Sequence, residues 1–180
     1  MNKWDEIVDH IIDNSIDILM VTETWISPNK TNDPQLKHLP AGYAMLQVPR
    51  PHRRGGGVAL IYRECLHINS YEPTTAKCFE GLEVVMTINS HCLRLLVLYR
   101  PPPSSQNGFK VSQFVTEFSD YMEKTLASSG RLLIGGDFNF HWDNPQHPDT
   151  IQIRDALDSV NLQQHVTGAT HTSGHTLNWF

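Results

Sequence analysis

Four short segments carry the residue types that chemistry on a phosphate would need. Gly135-Gly136-Asp137-Phe138-Asn139 follows an apolar run and sets a carboxylate and an amide at i and i+2, positions that share one face of a strand. The paired glycines let the backbone turn tightly and let a ligand come close, as a site for phosphate and a hard cation requires. Val21-Thr22-Glu23-Thr24-Trp25 places a second carboxylate at the end of another apolar run. Leu98-Tyr99-Arg100-Pro101-Pro102 presents a phenol and a guanidinium beside a rigid loop, and both groups hydrogen-bond phosphates well. The fourth segment, Thr170 to Phe180, is a polar loop holding His171 and His175 that leads into Leu177-Asn178-Trp179. Taken singly, each is also ordinary: Gly, Asp and Asn are common turn residues, an isolated glutamate is usually solvated, and a tyrosine packs readily on proline.

The elements that must position these segments follow from hydrophobic periodicity. Trp4, Ile7, Val8, Ile11 and Ile12 fall on one helical stripe ending near Asp13-Asn14. Ile16 to Val21 reads as a strand buried on both faces and delivers Glu23 at its end, before a polar loop from Ser27 to Pro40. Val58 to Tyr62 is a further strand, and Leu82 to Ile88 with Leu93 to Tyr99 forms a hairpin about Asn89-Ser90. Pro101 to Pro103 end it, because proline offers no amide donor. Val111, Phe114, Val115, Phe118 and Met122 restore the helical period up to Leu126, and Arg131 to Gly136 is the strand that presents Asp137. Asp149 is the expected N-cap of a helix carrying Ile153, Ala156, Leu157 and Val160, and Leu177 to Phe180 begins one more strand. Strands interleaved with a few helices imply one α+β or α/β layered domain.

The four segments, in this order and each at a strand end, resemble the endonuclease/exonuclease/phosphatase superfamily. In detail they are similar to the apurinic/apyrimidinic-endonuclease-like endonuclease domain of non-LTR retrotransposons, whose members carry comparable T-E-T-W, R-G-G-G-V-A, Y-R-P-P, G-D-F-N and T-H-x-S-G-x-x-L-D segments. The resemblance runs from about Ile7 to Phe180 and implies an α/β fold, a two-sheet sandwich of the DNase I-like type. It also implies magnesium-dependent hydrolysis of a DNA phosphodiester, with manganese as the alternative cation. A phosphatase or lipid phosphodiesterase is the second enzymatic expectation. In this resemblance Glu23 ligates the metal, Tyr99 contacts the scissile phosphate, and Asp137 orients or deprotonates the attacking water while Asn139 helps hold the phosphate. Arg100, Arg53, Arg54 and His171 are candidate phosphate or DNA contacts.

Three departures are expected to matter. Family members open with a strand bearing a metal-supporting Asn, whereas this sequence begins at the following helix. They close on a Ser-Asp-His segment that lies past Phe180, and Asn178 stands where an orienting aspartate is usual. An amide there cannot stabilise an imidazolium by charge. The 180 residues are therefore expected to form a single, partial domain, incomplete at both ends, with weak or no activity of its own.

Composition narrows the remaining choices. With 39% hydrophobic and 18% charged residues the chain has the makings of one globular core, and its net charge of −5 argues against a binder that grips nucleic acid by bulk positive charge. The one basic run, Arg50, His52, Arg53 and Arg54, is a candidate DNA-backbone contact or simply a solvated loop. Cys65, Cys78 and Cys92 make no C-x-x-C pair and suit a reducing, intracellular compartment. No apolar run approaches membrane-spanning length, and Asp5, Glu6 and Asp9 stand where a signal peptide would be basic. His171 and His175 have an H-x-x-x-H spacing but no neighbouring Cys or carboxylate cluster, so no zinc site is expected. Nor do the three glycines form a P-loop, since they lack its G-K-[ST] ending.

Overall fold

The structure, a computed structural model, describes residues 3–26, 39–51, 55–105, 107–170, 176 and 178–179. Along the chain run α1 (Lys3–Asp13), β1 (Ile18–Thr22), β2 (Tyr43–Val48), β3 (Val58–Arg63), β4 (His67–Pro73), β5 (Glu80–Ile88), β6 (His91–Tyr99), α2 (Val111–Leu126), β7 (Arg131–Asp137), α3 (Pro148–Ser159) and β8 (Asn178–Trp179). The strands make two sheets, β1-β3-β2 and β4-β5-β6-β7-β8, in which β6 and β7 are parallel and every other pair is antiparallel.

Alternation along the strands decides what each sheet face covers. Val58 and Leu60 of β3 meet Leu82, Val84, Leu95, Val97 and Tyr99 in a core between the two sheets. Ile61, one residue out of phase, faces the other way and packs with Trp4 and Ile11 of α1. On the far face of the larger sheet, Leu96, Leu98 and Ile134 join Phe114, Phe118 and Met122 of α2 and Ile153 and Leu157 of α3. The layers are thus helix, sheet, sheet, helices: the α/β sandwich expected from sequence.

Local rules account for most boundaries. Asn89 and Ser90 adopt φ of 48° and 65°, the left-handed pair that a two-residue hairpin turn needs, and fix the β5–β6 register as Ile88 opposite His91 through Glu80 opposite Tyr99. Two expectations are corrected. β1 is covered on both faces yet all five of its residues are only half-buried, because it lies at the edge of the three-stranded sheet. Helix α3 is capped by His147, whose Nδ1 accepts from the Asp149 backbone N–H at 3.3 Å, since Pro148 takes the first helical position and leaves Asp149 inside the first turn.

Candidate active site

The strand ends that carry Glu23, Tyr99 and Asp137 meet at one rim of the sandwich. Past Thr22 the chain turns sharply, and Glu23 and Trp25 each take φ of 55°, a left-handed conformation that costs a non-glycine residue on the order of 1–3 kcal/mol. Backbone bonds from Thr24 to Gly57 at 3.3 Å and from Trp25 to Gly56 at 2.9 Å hold this turn against the glycine loop that precedes β3. The Glu23 carboxylate completes the fastening. Its Oε2 accepts from the Trp25 indole at 2.7 Å and from the Gly56 N–H at 3.1 Å, while Oε1 accepts from the Tyr99 hydroxyl.

Tyr99 ends β6 on the inter-sheet face and is 4% exposed. Burial first, and then its hydrogen bond to Glu23, push its pKa well above the usual phenol value, so it is a proton-bearing donor throughout the neutral range. Opposite it stands Glu80, which accepts from the Gly57 N–H at 2.6 Å and pairs with Arg50. The Arg50 guanidinium carbon lies 5.6 Å from the Tyr99 ring centroid.

Asp137 ends β7 directly beside Tyr99 in the parallel register. On its other side Asn178 of β8 is its register partner. Gly136 has φ of 141°, and a Cβ there would run into the Leu98 carbonyl, so glycine is what lets β7 approach β6 this closely. Asn139, at φ of 52°, donates its backbone N–H to Asp137 Oδ1 at 3.1 Å and its side-chain amide to the Arg100 carbonyl at 2.9 Å. It sets the aspartate and ties the two strand ends together.

Arg100, a candidate phosphate contact, points to the opposite face from Tyr99, is 3% exposed, and donates to the carbonyls of Phe138 at 3.0 Å and Asn139 at 3.1 Å. Its guanidinium carbon sits 4.0 Å from the Phe140 ring centroid, and burial draws its pKa down to about 10. Arg100 shapes the Asp137 loop from inside the helix layer. Arg53, Arg54 and His171 lie outside the described residues. Glu80 was not singled out from sequence, although counting back from the Asn89-Ser90 turn pairs it with Tyr99.

Among the described residues no three His, Cys, Asp or Glu side chains come together to enclose a metal. The donor set does fit a magnesium-type ion held by one carboxylate. Glu23 Oε2 is occupied by two donors and Oε1 by one, which leaves Oε1 a lone pair for a cation that fills its other positions with water and substrate oxygens.

A family model settles the kinship: the Endonuclease/Exonuclease/phosphatase family matches residues 4–180. The chain belongs to this family. Its fold is shared with the AP endonuclease LMAP from Leishmania major (TM-score 0.70, 12% identity, 96% of this chain and 71% of that one). It is shared also with the APE2 catalytic domain of Xenopus laevis (TM-score 0.69, 11% identity, 96% and 76%). D. rerio TDP2 complexed with single strand DNA product matches over 88% of this chain and 57% of that one, at TM-score 0.59 and 13% identity. No curated protein sequence matches the chain. The family is one of phosphoester-cleaving enzymes, and no described helix is long and apolar enough to cross a membrane.

Proposed function

We propose that this domain hydrolyses a DNA phosphodiester with the help of a magnesium ion, as the endonuclease of a retrotransposon-like element. The observation that carries the reading is the meeting of Glu23, Tyr99, Asp137 and Asn139 at one rim, from strand ends far apart in sequence. Family membership supports the bond type, the DNA-processing relatives of like fold support the polymer, and the T-E-T-W, R-G-G-G-V-A and G-D-F-N segments support the retrotransposon type.

Each residue has work that its surroundings allow. Glu23 would hold the ion, which when bound neutralises charge on the phosphoryl oxygens. Tyr99 has a single O–H, now given to Glu23, and turning it toward a phosphate oxygen would supply a donor from a dry, rigid position. Asp137, held by the Asn139 N–H, would take the proton of an attacking water.

Conversion of supercoiled plasmid to nicked circle with Mg2+ tests the reading. The chain should nick weakly, EDTA should stop it, and Asp137→Ala should remove what nicking there is. A folded chain that leaves DNA intact but releases phosphate from a phosphomonoester would move the function to a phosphatase. Nicking unchanged in Asp137→Ala would remove the site.

A further inference from the structure

Beside the Tyr99–Glu80 pair lies a cavity of about 250 Å³ lined by Arg50, Pro51, Lys77, Phe79, Pro101 and Phe109, among others. Prolines and phenylalanines make flat apolar surface, and the polar part of the wall is Arg50 and Lys77 together with Asn107 and with Glu80, whose carboxylate is paired with Arg50. Flat apolar walls beside cationic donors suit a nucleotide, whose base has a broad face and whose phosphate is an anion.

Arg50 is held as a recognition group would be. Glu80 takes its Nε and, through its other oxygen, the Gly57 N–H, so guanidinium and glycine loop are fixed as one unit. Any Cβ on Gly56 would collide with the guanidinium, which therefore lies flat on the loop backbone. The guanidinium also meets the Tyr99 side chain, while Nη2 is buried and makes no hydrogen bond of normal geometry among the described residues. A desolvated donor is costly to leave unmet, and a bound anion is one group that would satisfy it. Burial works to lower the Arg50 pKa, but Glu80 and Tyr99 more than offset it, so the cation is secure.

We propose that this cavity is a nucleotide subsite, in which Arg50 and Lys77 hold the phosphate next to the scissile one and the Pro51–Pro101–Phe109 wall receives its base. The subsite deepens the nuclease reading and rests on it for the identity of the strand bound. It would place the neighbouring nucleotide against Tyr99 and so fix which phosphate meets Asp137.

Equilibrium binding of a fluorescein-labelled single-stranded oligothymidylate, in EDTA so that no cleavage occurs, tests the subsite apart from catalysis. Arg50→Gln and Lys77→Met should each weaken binding roughly tenfold. Each should also reduce the slope of log affinity against log salt by about 0.7, the loss of one single-strand phosphate contact. Lys77 is exposed, so its variant keeps the test valid should Arg50→Gln loosen the glycine loop. Unchanged affinity and slope in Lys77→Met, with the parent nicking plasmid normally, overturns the subsite and leaves the nuclease reading standing. Binding that depends on Arg50 and Lys77 in a chain that never nicks DNA supports the subsite and overturns the nuclease.

Discussion

Two groups of glutamate, tyrosine and arginine stand on this fold, and they have opposite characters. At the rim Tyr99 donates to Glu23 and Arg50 lies over the phenol ring; on the helix face of the same sheet Tyr121 donates to Glu83 and Arg94 pairs with that carboxylate. Both phenols are pushed well above their ordinary pKa, first by burial and then by the carboxylate. Yet the second group sits wholly on β5, β6 and α2. Arg94, 5% exposed, gives its remaining donors to the Thr125 and Ser128 carbonyls and so closes the end of α2. In the rim group only Tyr99 belongs to a strand; Glu23 and Arg50 sit on loops, with Glu23 at positive φ and an Arg50 donor without a hydrogen bond of normal geometry among the described residues. Residue types therefore do not distinguish the two groups. Backbone strain and unspent hydrogen-bonding capacity do.

The sharpest way to break this contrast is to remove each arginine in turn. Arg94→Ala strands Glu83 and the carbonyls that end α2, and should cost about 3–5 kcal/mol in urea unfolding. Arg50→Ala, at a pair whose side chains are 20% and 18% exposed, should cost only about 1 kcal/mol. Equal losses would show that the rim arginine is as structural as the buried one. Next come the phenols. Tyr121→Phe should lower stability by about 1–3 kcal/mol and leave plasmid nicking unchanged, whereas Tyr99→Phe should slow nicking by about 10²–10³.

A smaller effect appears in alkali. Because both tyrosines have raised folded-state pKa values relative to the ordinary 10.0, the folded chain keeps protons that the unfolded chain releases above about pH 10. Their contribution to stability is therefore constant below that pH and falls as pH rises beyond it, by at most about 1.4 kcal/mol per pH unit for each phenol. Each Phe variant should take one phenol's share out of the slope above about pH 10 in urea melts, against a background that the raised Cys78 thiol and the lowered Arg100 guanidinium leave in every variant. A slope unchanged in the double variant would place its cause elsewhere.

Much of this was legible in the chain. Strong periodicity revealed all three helices named above, the Asn89-Ser90 turn set the hairpin, and the glycines before Asp137 marked a close approach. Strand β4, six of whose seven residues are exposed, lies at a sheet edge with a bulge between Ile68 and Ser70, and so carries no alternating apolar pattern. Strand β2 is nearly all apolar with Gln47 alone breaking the run, a pattern that short loops and buried helices also show. The inward facing of Arg100 follows from a rule already present in the strand: the residue after Tyr99 must face the other way. Arg50 and Glu80 meet only through tertiary packing across β2 and β5, and that contact leaves no local pattern.

The Tyr99–Glu23 hydrogen bond spans 76 residues of chain and joins the two sheets. Either sheet formed alone holds half of the proposed site, so binding there would arise only once the sandwich has closed, and it would report that closure as an assembly sensor does. The linkage runs in reverse as well. A ligand that grips both halves clasps the sheets together, and at one hundred times its dissociation constant it adds about 2.7 kcal/mol against unfolding. Substrate would then act as a folding cofactor for the domain that cuts it.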